Sequence, residues 1–262
     1  MITLLVSLFA LSPLSASVVA PTVARLVQDP PEDKREDIKV LVEELDSHAG
    51  ARGDKDTEAV AVIDKLVQLF GECGPKDRAS IVKGLDKCFK EKRQEDANGV
   101  RQNQLYLAAA TALGEMAPES VPVLTEWIGH KTHRKDQPLQ RLLILRLGKT
   151  ADPRGIKTLI KLLDDPDPPI QAAAAEAMGE YQGAELEARK EMFEELLRLI
   201  MSLKNGVDTD VTDPIARNRY DTVAAPIITS LQRLSGHKEH VPEEWLRWWN
   251  KNKKADWDNL GS

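Results

Sequence analysis

Charge is missing from the first 24 residues of this chain, and aromatic rings are scarce until its far end. Aromatics make up 5% of the 262 residues, and there are two cysteines. So few cysteines exclude a disulfide framework of the kind that staples small secreted domains. Cys73 and Cys88 fall near opposite ends of a helix expected over Pro75–Lys90. Their separation along it, roughly 22 Å, is far beyond the ~4.4–6.8 Å between bridged Cα atoms. Both therefore read as small apolar residues facing a core, and no histidine adjoins either to make a reactive thiol. An excess of positive charge is also missing. Lys and Arg number 36 against 42 Asp and Glu, a net charge of −6, which argues against a general nucleic-acid binder because phosphate neutralisation needs a basic surface.

Chemical motifs are equally sparse. There is no phosphate loop, nucleophile elbow or zinc-protease signature, and no isolated carboxylate pair in an apolar setting. The pairs His130/His133 and His237/His240 lack the further ligands that zinc requires. Asp208, Asp210 and Asp213 suggest calcium, but an EF-hand loop counted from Asp208 needs Gly and Glu where Asp213 and Arg219 stand; Asp213 is better read as an N-cap ahead of Pro214. The sequence thus assigns no catalytic, cofactor-binding or metal-binding residue.

The uncharged start is itself informative. Leu4, Leu5, Val6, Leu8, Phe9, Ala10 and Leu11 form an apolar centre, followed by small residues at Ser15, Ala16, Ser17 and Ala20. Residues 1–24 read as a secretory signal cleaved after Ser17 or Ala24, although no Lys or Arg precedes the apolar stretch. The alternative is a membrane anchor over residues 2–24. Either implies an exported protein, periplasmic or secreted. Strand-forming runs are scarce, because most Val and Ile residues fall in patterns of helical spacing.

A repeated phrase fills the rest: an Ala/Leu-rich run ending in Gly, a polar turn, a Pro, then a second apolar helix. It reads LVQLFGECGPKDRASIVKGL from Leu66, AAATALGEMAPESVPVLTEWI from Ala108 and LLILRLGKTADPRGIKTLIKLL from Leu142. Further copies are AAAAEAMGEYQGAELEARKEMFEELL from Ala172 and, degenerate, ITSLQRLSGHKEHVPEEWLRWW from Ile228. Gly71, Gly114, Gly148, Gly179 and Gly236 stand where first helices end, a place for left-handed backbone. Pro75, Pro118, Pro153 and Pro242 stand where second helices begin, since a first-turn proline loses no needed N–H. Asp152 and Asp167 precede prolines as N-caps. Ile156, Leu159, Ile160 and Leu163, and likewise Phe193, Leu196, Leu197 and Ile200, form apolar helical stripes. Each helical pair leaves a face that only the next pair can cover, so the units must stack.

The pattern resembles HEAT-like repeats of the phycobilin-lyase type, most closely over Leu139–Glu180. It also resembles exported HEAT-repeat proteins frequent in planctomycete-like bacteria, which often close on a segment like PEEWLRWWNKNKKADW (Pro242–Trp257). The resemblance implies an all-α fold, a right-handed solenoid of about five helical hairpins with terminal caps. It further implies second helices lining the concave surface. The expected layout is signal or anchor 1–24, linker 25–35, solenoid 36–253 and tail 254–262. A first helix at 36–48 caps the stack, and Gln94–Gly99, Lys131–Asp136 and Asn205–Asp213 are loops.

Two features are candidate binding surfaces. Trp245, Trp248 and Trp249 share one helical face, as a ligand platform or as the structural cap that a solenoid end needs. Between Lys131 and Lys161 nine basic residues, Arg154, Lys157 and Lys161 among them, face only Asp136 and Asp152. Lys157 and Lys161 lie one turn apart, as a docking patch for an acidic partner or as a solvated face neutralised by Glu191, Glu194 and Glu195. The reading that follows is a non-enzymatic, exported protein–protein interaction scaffold with an unidentified protein partner and no cofactor. Its alternatives are an enzyme or accessory lyase with a concave groove, and an envelope-carbohydrate binder using the Trp face.

Overall fold

The computed structural model describes residues 33–95 and 102–260. The chain divides into the units Met1–Pro30 and Pro31–Ser262, and everything described lies in the second. The expected signal or anchor, most of the 25–35 linker and residues 96–99 of the Gln94–Gly99 loop lie outside the described residues.

Eleven α-helices and no β-strand occur among the described residues: α1 (Glu36–Ala49), α2 (Asp56–Phe70), α3 (Pro75–Cys88), α4 (Gln104–Leu113), α5 (Val121–Trp127) and α6 (Gln137–Lys149), then α7 (Ile156–Leu162), α8 (Pro168–Met178), α9 (Leu186–Thr209), α10 (Pro214–Ser235) and α11 (Pro242–Asn252). The fold is an all-α solenoid of the HEAT type. α2, α4, α6, α8 and α10 touch in succession as one layer. α3, α5, α7 and α9 each pack on the following first-layer helix, while α1 covers α2 and α3 and α11 lies on α9. The core is a continuous apolar seam between the layers, running from Ile38 to Trp257.

Proline chemistry explains most helix starts. Pro75, Pro122, Pro138, Pro168, Pro214 and Pro242 stand in first turns, where the missing N–H has no acceptor to lose. Asp136 and Asp213 accept from the backbone N–H groups of Leu139 and Ile215, and Asp152 accepts from Arg154 at the 3₁₀ turn Pro153–Gly155 that leads into α7. Three expectations need correction. Pro118 lies in the turn before α5, and Pro122 opens that helix. Asp167 makes no capping bond, because its carboxylate accepts from Gln137 at the start of α6. The Asn205–Asp213 loop shrinks to the residues after Thr209, since α9 continues through its first part.

The expected left-handed backbone holds for one marker glycine and not for the other four. Only Gly236 adopts a left-handed backbone, with φ 71°; Gly71, Gly114 and Gly179 are right-handed helical, and Gly148 lies inside α6. At Gly148 a Cβ would stand 2.6 Å from the Ala177 Cβ and 2.7 Å from the Ala177 Cα and carbonyl oxygen. Backbone cannot withdraw from such a clash, so this glycine sets the spacing of α6 and α8. Gly114 and Gly179 meet side chains instead, Arg146 at 2.6 Å and the Ser230 hydroxyl at 2.8 Å.

Candidate functional site

Second-layer helices α7 and α9 present their exposed stripes side by side. The Arg198 guanidinium lies 3.5 Å from the Asp164 carboxylate just beyond the end of α7. Their relative direction follows from contacts with the first layer. The end of α7 meets the start of α8, since Gln171 donates to the Leu163 carbonyl, and the start of α9 meets the end of α10 through Arg189 and the Leu234 carbonyl. α8 and α10 run the same way, as Gln171–Arg219 and Gly179–Ser230 contacts show. α7 and α9 are therefore parallel.

Most charges near this region are consumed internally. Arg141 pairs with Glu176 at 2.7 Å, Arg146 and Lys149 pair with Glu115, and Arg233 pairs with Glu180 at 2.6 Å. These bridges stitch each first-layer helix to the next hairpin. Arg154 is held too: it binds the Asp152 carboxylate at 2.8 Å and the Pro118 carbonyl at 2.6 Å. That contact holds the Arg154 guanidinium above, and the Asp152 carboxyl below, its ordinary pKa range. Lys157 and Lys161 differ. Both are exposed, and among the described residues neither is within ion-pair distance of an acid. The anticipated neutralisation by Glu191, Glu194 and Glu195 does not form as direct pairs; Glu195 turns to Arg198 instead. Lys131, Arg134 and Lys135, in the exposed loop before α6, make no ion pair among the described residues either.

The tryptophans close the other end of the stack. Trp245 and Trp249 are buried with Phe193 between them, the rings 5.6 Å and 5.2 Å from it. Trp257 folds back to within 5.2 Å of the same ring, its indole N–H donating to the Asn252 carbonyl. Buried Arg189 ties the tail down through Asp258 at 2.6 Å. Trp248 alone of the three helical tryptophans is half-exposed, and the His237 ring lies parallel to it at 5.2 Å. A hollow of about 450 Å³ opens here, with Glu244, Arg247 and Lys251 among its lining residues.

Other candidates resolve into structural roles. His133 is buried, bonded to the Phe89 carbonyl at 2.7 Å and packed on Tyr106. Asp208 pairs with Lys204, Asp210 accepts from Thr212, and Asp213 caps α10. Cys73 and Cys88 are buried free thiols; burial pushes the Cys88 thiol up to about 12, so it stays protonated and inert. Among the described residues no group of three or more His, Cys, Asp or Glu is placed to hold a metal. No described helix is long and apolar enough to cross a membrane.

Sequence reasoning missed two buried glutamines. The Gln140 side-chain amide donates to the Trp127 and His133 carbonyls and accepts from Gly129 N–H. Gln171 donates to Leu163 and accepts from Arg219. Each fills the gap between the end of a second helix and the next first helix, satisfying orphan carbonyls. The signal was present as Pro-Leu-Gln at 138–140 and Pro-Ile-Gln at 169–171.

No curated protein matches the chain. The family model for HEAT repeats matches residues 132–199, from the loop before α6 into α9, where paired helices stack in two layers. Sequence match and architecture agree there: residues 132–199 are similar to HEAT repeats and fold as stacked helical pairs.

Proposed function

We propose that this protein is an exported interaction scaffold, not an enzyme, and that it docks an acidic segment of another protein on Lys157 and Lys161. HEAT repeats commonly serve as interaction scaffolds. The observation that carries the reading is the contrast in charge use. Arg141, Arg146, Lys149, Arg154 and Arg233 are spent on internal pairs, whereas Lys157, Lys161, Lys131, Arg134 and Lys135 are not. Unspent cations on a rigid surface attract a complementary anion at little cost in reorganisation.

A fluorescein-labelled poly-glutamate of about 20 residues serves as the probe. The full chain binds it in fluorescence anisotropy, and Lys157→Glu with Lys161→Glu weakens binding by about tenfold or more, with unchanged circular dichroism. Equal binding by both proteins would remove the docking surface. Export, and with it the kinship to exported HEAT-repeat proteins, belongs to the same proposal. N-terminal sequencing from the native host is expected to read from Val18 or Arg25; a start at Met1 in a cytosolic fraction would contradict it.

A further inference from the structure

The two neighbouring stripes carry opposite charge patterns over the same two-turn interval. On α7 and the turn after it stand Lys157, Lys161 and Asp164; on α9 stand Glu191, Glu194 and Arg198. Both sets run from i to i+7, about two helical turns, with steps of four and three on α7 and of three and four on α9. The helices are parallel, and Arg198–Asp164 brings the two stripes together at one end. Read along the chain, one stripe is plus, plus, minus and the other minus, minus, plus.

We propose that this face is self-complementary and that a second copy of the chain docks on it. A two-fold axis parallel to the helices, between α7 and α9, lays α7 of each copy over α9 of its partner. Lys157 then faces Glu191, Lys161 faces Glu194 and Asp164 faces Arg198, each combination occurring twice. Such an interface is isologous: the same patch serves both subunits and the assembly closes at two. The exposed large apolar residues Val40, Val211, Ile215, Val241, Leu246 and Leu260 all lie off α7 and α9. Association therefore rests on charge, which makes it weak and strongly salt-dependent. The inference stands without the docking proposal but shares Lys157 and Lys161 with it, so a dimer would occlude the surface that takes an acidic partner.

Sedimentation equilibrium of the full chain at low ionic strength is the test. The mass is expected to rise from one chain towards two over the order of 10–500 µM and to fall back at ~0.5 M salt. Lys157→Glu/Lys161→Glu and Glu191→Lys/Glu194→Lys should each stay monomeric, and their equimolar mixture should associate again. A monomer throughout, an association untouched by both charge reversals, or a mixture that stays monomeric would overturn the proposal. The Glu191→Lys/Glu194→Lys variant separates the two readings. It loses self-association yet keeps or gains poly-glutamate binding, so either property can fail alone.

Discussion

Trp245→Ala lowers stability by about 4 kcal/mol, the expectation for deleting a fully buried tryptophan, and the loss is confined to one end of the molecule. The Trp245 ring is inaccessible to solvent and packs edge-on against Phe193, His237 and Trp248 at 5.6, 5.5 and 5.9 Å. Among the described residues, α11 and the returning Trp257 cover α9 on this side. In a solenoid each unit draws stability from its neighbours only, so losing the cap should release α9–α11 before the middle repeats. Native-state hydrogen exchange reads this directly: protection falls in α9, α10 and α11 and survives in α2 to α6. A uniform loss along the chain would show that the tryptophans do not act as an end cap. Trp245→Phe supplies the control. The indole N–H has no hydrogen-bond partner among the described residues, so this swap removes volume alone and costs only about 1–2 kcal/mol.

At the other end, Asp56→Ala is expected to cost about 3–5 kcal/mol, because it leaves a buried guanidinium without its counter-ion. The Arg93 side chain is wholly buried, and the Asp56 carboxylate meets it through two bonds of 2.8 and 3.0 Å. The remaining donors reach the carbonyls of Ala49 and Lys92 at 2.9 and 3.0 Å. This one residue thereby fastens the segment after α3 to the end of α1 and the start of α2. Replacing both partners, as Asp56→Leu with Arg93→Leu, should recover much of the loss, since no buried charge is then left unpaired. Urea unfolding of Asp56→Leu, Arg93→Leu and the double variant closes the cycle. If the double variant is as unstable as the sum of the singles, the two side chains are not coupled and the ion pair is not what holds this segment.

The two ends show how differently sequence and structure contribute. The C-terminal cap is readable from spacing: Trp245, Trp248 and Trp249 at helical intervals after a helix-starting proline must share a face, and a stack of repeats needs an end. The Arg93–Asp56 pair is not readable. Its partners lie 37 residues apart in two polar segments that resemble ordinary solvated loops, and no local pattern distinguishes a buried charge from an exposed one. The same holds for the basic segment. Counting charges located an excess between Lys131 and Lys161, yet it could not separate Arg154, held by Asp152 and the Pro118 carbonyl, from Lys157 and Lys161. Glu195, a carboxylate thought to neutralise those lysines, instead pairs with Arg198 on its own helix.

By itself the sequence determined the helical class, the pairing of helices, most of their starting points and the tryptophan closure. Each of these depends on interactions within a few residues: apolar periodicity, a proline or aspartate in the first turn, a glycine at a boundary. Only the tertiary structure decided why Gly148 is there. Gly148 is required by the approach of Ala177 from the next first-layer helix, 29 residues on, and not by its own backbone angles. It also decided which glutamines close the gaps between hairpins, and it laid the stripes of α7 and α9 in parallel with opposite signs. Those outcomes depend on which surfaces meet, and meeting is settled by packing the whole stack at once rather than by any stretch of chain within it.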